Sequence, residues 1–420
     1  MRKEDRVCYT CLIIPDCILE ADLMRVKKIV VLFLIVFFGT GFFSHNALAS
    51  ELKLTELELT VPILTKPILT EPILAGYYTA WSAYSGYTPD QIEASQLTHI
   101  SYAFAEIGSD LRIRMGYPDI DPKNFMLLQQ LKQQNPQLKT LISVGGWTWS
   151  GRFSDAALTE KNRQVFAESC ITFMKQFGFD GIDLDWEYPV AGGLTSNKTR
   201  PEDKKNFTLL IKTLREALDQ QGAADDKQYL LTIAGGAGSS YIKNTELALI
   251  HEYLDFAVIM TYDFHGPWDK YTDFLSPLYI SSNSSPQYQA SFDTGVTGWL
   301  NASFPAKKLV AGVPFYGYLY STTGSGNDGL HQSFSKGKAI SYQKIIELYV
   351  TNPEYRRFFH PQSKVPWLYN GCDFISYEDK ESIFFKAQYI KSKKLAGAMI
   401  WELSHDKNGD LLNALQEGFK

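Results

Sequence analysis

The sequence is poor in cysteine, has no marked excess of either charge, and contains no apolar run as long as a membrane-spanning helix. Its 41 basic and 46 acidic residues leave a net charge of −5. No long basic run occurs, which argues against a dedicated nucleic-acid surface. The apolar stretch Ile29–Phe43 is shorter than the roughly 20 residues that cross a bilayer. The chain is long and rich in aromatic residues, which make up 14% of the sequence. Its 420 residues suit one large domain or two to three ordinary ones.

The amino terminus has the pattern of a secretory signal. A basic segment that begins at Met24 precedes the apolar Ile29–Phe43, and Ala47 and Ala49 supply small residues at the two critical cleavage positions. We therefore expect residues 24–49 to be a signal peptide and the protein to be secreted, to the periplasm or the extracellular space. No stable membrane insertion is expected after cleavage. An uncleaved membrane anchor is the alternative.

Two further segments flank this signal. Residues 1–23 precede it, and since a signal normally begins a protein, we interpret them as an upstream or non-native extension, with translation starting at Met24. Residues 50–72 carry a proline at every fifth position from Pro62 onward. Proline blocks both a helix and a central strand, so this segment is expected to be an extended linker.

The distribution of cysteine argues against both a zinc site and disulfide bonds. Cys8 and Cys11 form a Cys-x-x-Cys pair without a second ligand pair, and they lie upstream of the signal together with Cys17. The mature chain retains Cys170 and Cys372. Cys170 lies on the apolar face of a predicted helix, so we expect a buried, inert thiol there. We expect no disulfide, no bound metal and no cofactor.

Short apolar runs alternate with amphipathic segments, a pattern typical of buried parallel strands joined by helices. The eight runs are Ile73–Thr79, His99–Ala105, Thr140–Gly145, Gly181–Trp186, Leu230–Ala234, Phe256–Thr261, Leu309–Val313 and Ala396–Trp401. Helices are predicted over 121–135, 159–177, 203–221 (ended by Gly222) and 408–417. This order favours an α/β fold, a (β/α)8 TIM barrel over residues 73–418. An open doubly wound sheet is the alternative, but no Gly-x-Gly-x-x-Gly turn follows the first run, which disfavours a dinucleotide fold.

One interval between the predicted strands, Pro314–Leu395, is too long for a single helix. It contains a Gly/Ser-rich stretch at 322–329, a predicted helix near 341–351 and a strand-like piece at 365–369. We therefore expect a small α+β insertion at about residues 319–385, between the seventh and eighth barrel strands. Loops that follow the strands of a barrel build its active site.

Alternating acids mark the fourth run. Asp183, Asp185 and Glu187 are separated by bulky apolar residues, so the three acids share one face of a strand. A wet surface strand would alternate in the same way, but the flanking runs are those of a buried sheet. Three carboxylates in one column repel, so at least one pKa should rise, which is typical of acid–base sites. A calcium loop is disfavoured because strand-like apolar residues separate the acids.

This column resembles the Asp-x-x-Asp-x-Asp-x-Glu motif of family 18 glycoside hydrolases, the chitinase family, with Asp180 as its first acid. Further family motifs follow in order, each at a predicted strand end: Ser143-Val144-Gly145-Gly146, Met260-Thr261-Tyr262-Asp263, Gly312-Val313-Pro314-Phe315-Tyr316-Gly317, and the closing Trp401. The resemblance covers about Leu74 to Trp401, and the inserted region is similar to that of the bacterial-type subgroup. One departure is Tyr318, where many relatives have Arg, so contacts at the more distant sugar subsites are not carried over.

The resemblance implies retaining, substrate-assisted hydrolysis of β-1,4 N-acetylglucosamine linkages in chitin or chito-oligosaccharides, without a cofactor. Glu187 would act as acid and base, and Asp185 would bind the acetamide N–H while sharing a proton with Asp183. Tyr262 would donate to the acetamide oxygen and Asp263 would hold the distorted sugar. The expected substrate-binding residues are Trp401 as the floor of the site, then Tyr77, Ser143, Met260 and Tyr316, and the loop residues Trp147 and Trp268, which are equally consistent with stacking on sugars and with packing under the insertion.

Three other functions remain open from the sequence. A chitinase-like lectin would share the barrel but usually lacks the terminal acid, which is present here as Glu187. An endo-β-N-acetylglucosaminidase acting on N-glycans would share the acid column, whereas the insertion favours a linear polymer. A structural or adhesion protein would have no use for a buried acid column. A monomer is the default expectation, since nothing in the sequence specifies an assembly.

Overall fold

The computed structural model describes residues 71–282 and 289–420. The expected upstream extension (1–23), the expected signal peptide (24–49) and all but the last two residues of the expected linker (50–72) therefore lie outside the described residues. None of the helices within the described residues is both long and apolar enough to cross a membrane.

Eight parallel strands close a barrel. In chain order the strands of the described residues are β1 (Ile73–Thr79), β2 (His99–Ile107), β3 (Ile113–Met115), β4 (Lys139–Gly145), β5 (Gly181–Asp185), β6 (Leu230–Gly236), β7 (Phe256–Met260), β8 (Leu309–Pro314), β9 (Tyr316–Thr322), β10 (Phe334–Ser341), β11 (Arg356–His360), β12 (Val365–Tyr369), β13 (Asp373–Ser376) and β14 (Gly397–Trp401). β1, β2, β4 to β8 and β14 pair in parallel, and β1 pairs with both β2 and β14, which closes the ring. Each predicted apolar run coincides with one barrel strand, so the predicted (β/α)8 barrel is confirmed.

Helices follow most of the barrel strands and cover the outside of the ring. In chain order the α-helices of the described residues are α1 (Asp121–Gln134), α2 (Gly146–Trp149), α3 (Phe153–Leu158), α4 (Glu160–Phe177), α5 (Asp203–Asp225), α6 (Ser239–Asn244), α7 (Leu247–Ile250), α8 (Phe292–Asn301), α9 (Tyr342–Ile345), α10 (Lys380–Ser392) and α11 (Asp410–Phe419), and of these α9 belongs to the insertion. Cys170 is buried in α4, as its apolar surroundings predicted.

The end of α5 corrects one prediction. The helix continues through Gly222 to Asp225, and Asp226, with φ of 51°, caps it. Gly222 has a different purpose, because a Cβ at this position would lie 2.4 Å from the carbonyl oxygen of Lys227. Glycine here lets the chain that leaves α5 fold back against the helix. Gly222 is therefore needed for close packing and does not end the helix.

A second sheet lies between the seventh and eighth barrel strands, β8 and β14. It has five antiparallel strands in the order β10-β9-β13-β12-β11, with α9 following β10. The predicted α+β insertion is therefore present, and its strands run from Tyr316 to Ser376. β9 begins two residues after β8 ends, so the insertion continues directly from the carboxyl end of a barrel strand.

Buried apolar side chains form two clusters, one outside the barrel wall and one that extends from the barrel interior into the insertion. Ile182, Leu184 and Trp186 belong to the outer cluster, together with residues of the surrounding helices. The second cluster joins inward-facing side chains of the barrel, such as Ala234 and Val258, to aromatic side chains of the insertion, such as Trp367. Because side chains alternate along a strand, the acids of β5 face the barrel interior.

Candidate active site

β5 presents its acids at the carboxyl end of the barrel, where barrel enzymes build their active sites. Asp183 and Asp185 lie on the inward face of the strand, and Glu187 lies two residues beyond its end. All three are buried, with exposures of 1%, 4% and 8%. The structure therefore brings together the three acids that the alternating pattern placed on one face.

Asp183 is held by three hydroxyl groups. Its neighbours in register are Ser143 on β4 and Thr232 on β6. Tyr77 and Ser143 each donate to Oδ2 at 2.6 Å, and Thr232 donates to Oδ1 at 2.6 Å. Burial raises the pKa of Asp183, and the three hydrogen bonds oppose that shift. Within the described residues no hydrogen bond joins Asp183 to Asp185. The described part of the chain therefore has no direct hydrogen bond through which the two acids would share the expected proton.

Gly145 and Gly146 allow β4 to end against the acid strand. Their φ angles are 105° and 72°, a region that favours glycine. A Cβ on Gly145 would lie 2.4 Å from the carbonyl oxygen of Asp185. This close approach of two backbones gives a physical reason for the two glycines of the Ser-Val-Gly-Gly motif.

Asp185 is buried, and within the described part of the chain one of its carboxyl oxygens lacks a hydrogen bond to offset the loss of water. Its Oδ1 atom has no hydrogen-bond partner among the described residues. Burial raises the pKa of Asp185 well above its ordinary value, and the charges of Glu187 and Asp183 raise it further. Burial and the two neighbouring acids therefore favour the protonated form of Asp185, and its free oxygen is available to a polar group that enters the site.

Glu187 is poised to exchange a proton. Burial raises its pKa to about 7, a side-chain hydrogen bond with Tyr188 opposes the shift, and the charge of Asp263 adds to it. A general acid works best when its pKa lies near the operating pH, because both protonation states are then accessible. Of the three acids, Glu187 lies nearest the open end of the barrel and has a proton affinity suited to acid–base chemistry.

The backbone of Glu187 is fixed on both sides. Its N–H donates to Oγ of Ser150 at 2.8 Å, and its carbonyl oxygen accepts a 3.0 Å hydrogen bond from Nδ2 of Asn197. Oγ of Ser150 also lies 2.9 Å from the carbonyl oxygen of Gly146 and 3.1 Å from that of Asp185. Ser150 is completely buried and thus ties the loop after β4 to two of the acids.

Asp263 lies just past the end of β7, with φ of 57°. The hydroxyls of Tyr316 and Tyr318 both donate to its Oδ1, at 2.5 Å and 2.9 Å. Asp263 is exposed to solvent although protein surrounds it densely, and this incomplete hydration raises the pKa of its carboxyl. The two tyrosine hydrogen bonds oppose the shift. A carboxylate oriented in this way faces the same open end of the barrel as Glu187.

An aromatic surface borders the acids. Trp401, at the end of β14, lies 5.4 Å from the ring of Tyr77 and stacks on Phe104 at 5.9 Å, measured between ring centroids. Tyr262 is buried, and its charged neighbours are the carboxyl groups of the site. Met260 is half-buried at the end of β7. These residues supply an apolar wall and the phenols of Tyr77 and Tyr262 beside the acids, which suits the apolar face and polar edge of a sugar.

Further aromatic rings are exposed on the loops at this end of the barrel. Trp147 is 51% exposed and Trp268 is 62% exposed, and the ring of Trp268 meets that of Tyr318 edge-on at 5.7 Å. Trp81 and Tyr84, on the helical turn after β1, are exposed as well. Both rings lie at the surface, and Trp268 also packs against Tyr318 of the insertion.

Asp180 lies away from this site although it belongs to the same motif. It comes just before β5, where it forms an ion pair with Lys132 at 2.7 Å and accepts a 2.8 Å hydrogen bond from the backbone N–H of Thr140. These contacts are at the amino-terminal end of the barrel strands. Asp180 therefore stabilises the fold there.

Sequence reasoning missed several residues that hold the acids in place. Thr232 had one usable signal, a hydroxyl in the middle of the apolar run of β6. Ser150 and Asn197 lie in loops and act through backbone groups, so no pattern of residue types marked them. Tyr318 was noted only as a departure from the family, whereas the structure shows that it contacts Asp263.

Comparisons with known proteins agree with this geometry. Residues 73–406 match the family model described as glycosyl hydrolases family 18. The chain is 41% identical over 403 residues to "Chitinase A1" of Niallia circulans, an alignment that covers 82% of this chain and 58% of that relative. The match thus spans a little over half the length of that relative.

Two solved structures are similar over most of the chain. One is "Chitinase ChiA74 from Bacillus thuringiensis", with TM-score 0.78 and 37% identity, covering 83% of this chain and 69% of that one. The other is a family 18 N-acetylglucosaminidase from Paenibacillus barengoltzii, with TM-score 0.76 and 38% identity, covering 83% of this chain and 100% of that one.

Proposed function

The chain belongs to glycosyl hydrolase family 18 and is a glycoside hydrolase, and from this premise we propose that it hydrolyses β-1,4 N-acetylglucosamine linkages in chitin and chito-oligosaccharides, with Glu187 as acid and base. The observation that carries the proposal is the buried Glu187, whose pKa of about 7 suits proton transfer in both directions. The names of the relatives, most of them chitinases, support the substrate.

The proposed reaction needs no protein nucleophile. Glu187 gives its proton to the glycosidic oxygen while the acetamide oxygen of the substrate attacks the anomeric carbon and the leaving sugar departs. An oxazolinium ion results. Glu187, now a carboxylate, takes a proton from water, and the hydroxide attacks the same carbon, so the configuration is retained and the acid is regenerated.

Asp185 is proposed to bind the acetamide group. Its unpartnered Oδ1 is suited to accept a hydrogen bond from the acetamide N–H. Positive charge develops on the acetamide during attack, so a negative Asp185 stabilises the transition state more than the ground state. The hydroxyls around Asp183 keep that acid in place beneath Asp185, where its charge opposes early ionisation of Asp185.

The remaining residues are proposed to shape the sugar. Tyr262 would donate to the acetamide oxygen, Asp263 would hold the distorted ring, and Trp401 would form the apolar floor. Their support is their position at the ends of β7 and β14, next to the acids. The exposed Trp147 and Trp268 would stack on more distant sugars of a polymer.

Secretion is also a proposal. The basic and apolar segments of residues 24–49 support it, because they have the order and lengths of a signal peptide. Export from the cell would bring the enzyme to a polymer that lies outside it, and we propose that it acts there as a monomer.

The substrate is tested by comparing products. The purified protein is incubated with colloidal chitin and, separately, with an N-glycosylated protein, and reducing ends and released glycans are measured. Reducing ends from chitin without glycan release support the proposal. Glycan release without chitin cleavage would assign an endo-β-N-acetylglucosaminidase, and binding without cleavage of either substrate would assign a lectin.

A second candidate activity follows from one comparison. Because a structural neighbour at 38% identity is named an N-acetylglucosaminidase, stepwise release of single sugars from chain ends competes with release of the disaccharide. Chromatography of the first products from a chitin hexasaccharide separates the two. Early monosaccharide alone would favour the exo-acting activity, and early disaccharide would favour the chitinase.

A further inference from the structure

We propose that Tyr318 is a positioning residue of the active site, whose hydroxyl joins that of Tyr316 in fixing one oxygen of Asp263 and so presents the rest of the carboxylate to the sugar. The inference rests on the proposed function, in which Asp263 holds the distorted ring. It goes beyond the family resemblance, because many relatives carry Arg where this chain has Tyr318.

The geometry around Asp263 is specific. Tyr316 and Tyr318 donate to the same oxygen, Oδ1, at 2.5 Å and 2.9 Å. Asp263 itself is exposed, so the carboxylate is held from one side and open on the other. Two donors on one oxygen restrict rotation of the carboxylate about its last bond. A fixed carboxylate loses less entropy when it binds a hydroxyl of the substrate.

The insertion fixes the position of the Tyr318 hydroxyl. Tyr318 lies in the middle of β9, paired with Ala339 on β10 and Ser376 on β13. Its ring is buried and contacts the rings of Tyr316 and Trp268. The side chain therefore has little freedom to turn away from Asp263. In this way the insertion contributes directly to the catalytic end of the barrel.

The replacement also changes the charge of the site. The groups that face Asp263 are the neutral phenols of Tyr316, Tyr318 and, without a hydrogen bond to it, Tyr320 on β9, together with Tyr262 and the acid Glu187. An arginine would place a permanent cation beside Asp263, whereas Tyr318 donates a hydrogen bond without neutralising it. The charge of Asp263 then acts undiminished on Glu187.

Three variants of β9 test the proposal by the pH dependence of kcat/KM on a fluorogenic chitobioside. Tyr318→Phe keeps the ring and removes the hydroxyl. Tyr318→Arg replaces the neutral donor with a cation. Tyr320→Phe is the matched control, because Tyr320 lies on the same face of the same strand and its buried hydroxyl has no hydrogen-bond partner among the described residues. Turnover of the chitobioside by the wild type establishes glycoside hydrolysis independently of how the variants compare.

We expect Tyr318→Phe to lower kcat/KM about 10-fold, the size of one hydrogen bond to a charged group, and to move the acidic limb to higher pH, since the carboxylate of Asp263 loses a donor. Tyr318→Arg should move both limbs to lower pH, because a cation favours ionisation of Asp263 and of Glu187. Tyr320→Phe should change neither limb. A Tyr318→Phe enzyme with the wild-type pH profile, whether active or weakened, would overturn the proposal, and an unmoved profile in folded Tyr318→Arg would do the same.

Discussion

The backbone N–H of Glu187 donates a 2.8 Å hydrogen bond to the buried hydroxyl of Ser150, which also lies 3.1 Å from the carbonyl oxygen of Asp185. The Ser150 side chain thus contacts the backbone of both acids, on either side of Trp186. Because neither contact involves a carboxyl group, Ser150 acts on the positions of the acids and not on their chemistry.

Replacing Ser150 with Ala should therefore weaken catalysis more than folding. The buried N–H of Glu187 would lose its acceptor, at a cost of about 1–3 kcal/mol, and kcat should fall about tenfold while KM changes little. Ser169→Ala is a matched control, because the Ser169 hydroxyl also accepts from a backbone N–H and donates to a helical carbonyl, but away from the site. Equal kcat in the two variants would contradict the role given to Ser150.

The pH dependence of activity should reflect Glu187. Because the acid must carry a proton and its pKa is about 7, kcat/KM should fall about tenfold per pH unit well above that value. Asp263→Asn removes a negative charge that raises the pKa of Glu187, so the alkaline limb should move to lower pH even as activity drops. Asp225→Asn, on the surface at the end of α5, should leave the limb in place. An alkaline limb unmoved by Asp263→Asn would show that the two acids are not coupled.

A buried ion pair anchors the segment that carries Tyr262 and Asp263. Lys386 and Glu378 are fully buried and paired, and Nζ of Lys386 also donates to Oγ of Ser276 at 2.8 Å. Ser276 in turn donates to the carbonyl oxygen of Thr261 at 2.6 Å. The pair therefore connects α10 to the chain immediately before the two candidate catalytic residues.

Lys386→Met should lower the free energy of unfolding by about 3–5 kcal/mol, because it leaves a buried carboxyl without its partner. Lys380→Met removes an exposed ion pair with Asp410 from the same helix and should cost no more than about 1 kcal/mol. Thermal unfolding of both variants and the wild type provides the comparison. Similar midpoints for the two variants would mean that the buried pair contributes no more than a surface pair.

The exposed Trp268 should matter for long substrates only. Its ring is 62% exposed and distant subsites need flat apolar surfaces, so Trp268→Ala should raise KM for colloidal chitin severalfold and leave KM for a chitobioside unchanged. Leu249→Ala removes an exposed apolar side chain from α7, just before β7 begins and thus near the opposite end of the barrel, and should affect neither substrate. A rise in KM for the chitobioside in Trp268→Ala would place this ring at the cleavage site itself.

The fold could be predicted from the sequence because each barrel strand is a short apolar run and amphipathic segments separate most of these runs. The alternation in β5 also predicted that Asp183 and Asp185 share the inward face. The helix end at Gly222 was predicted wrongly, because a glycine that permits close packing has the same appearance as one that ends a helix.

The residues that hold the acids in place could not be predicted from local sequence patterns. Thr232 reaches Asp183 only because β6 pairs with β5 in one register, and a shift of one residue would turn its hydroxyl outward. Ser150 and Asn197 reach Glu187 through loops whose course depends on the whole barrel. Local patterns identify strands and acids, whereas contacts between distant segments require the assembled structure.

The most direct test of the account is hydrolysis of a fluorogenic chitobioside by the wild type and by Glu187→Gln, without added metal. The substituted amide would keep the size of the side chain but could not give or take the proton, so kcat should fall about 100- to 10,000-fold, while binding of chitin oligomers persists. Turnover by the variant at a rate near that of the wild type would contradict the assignment of Glu187 as the acid. A wild type that binds these oligomers and never cleaves them would contradict the account as a whole.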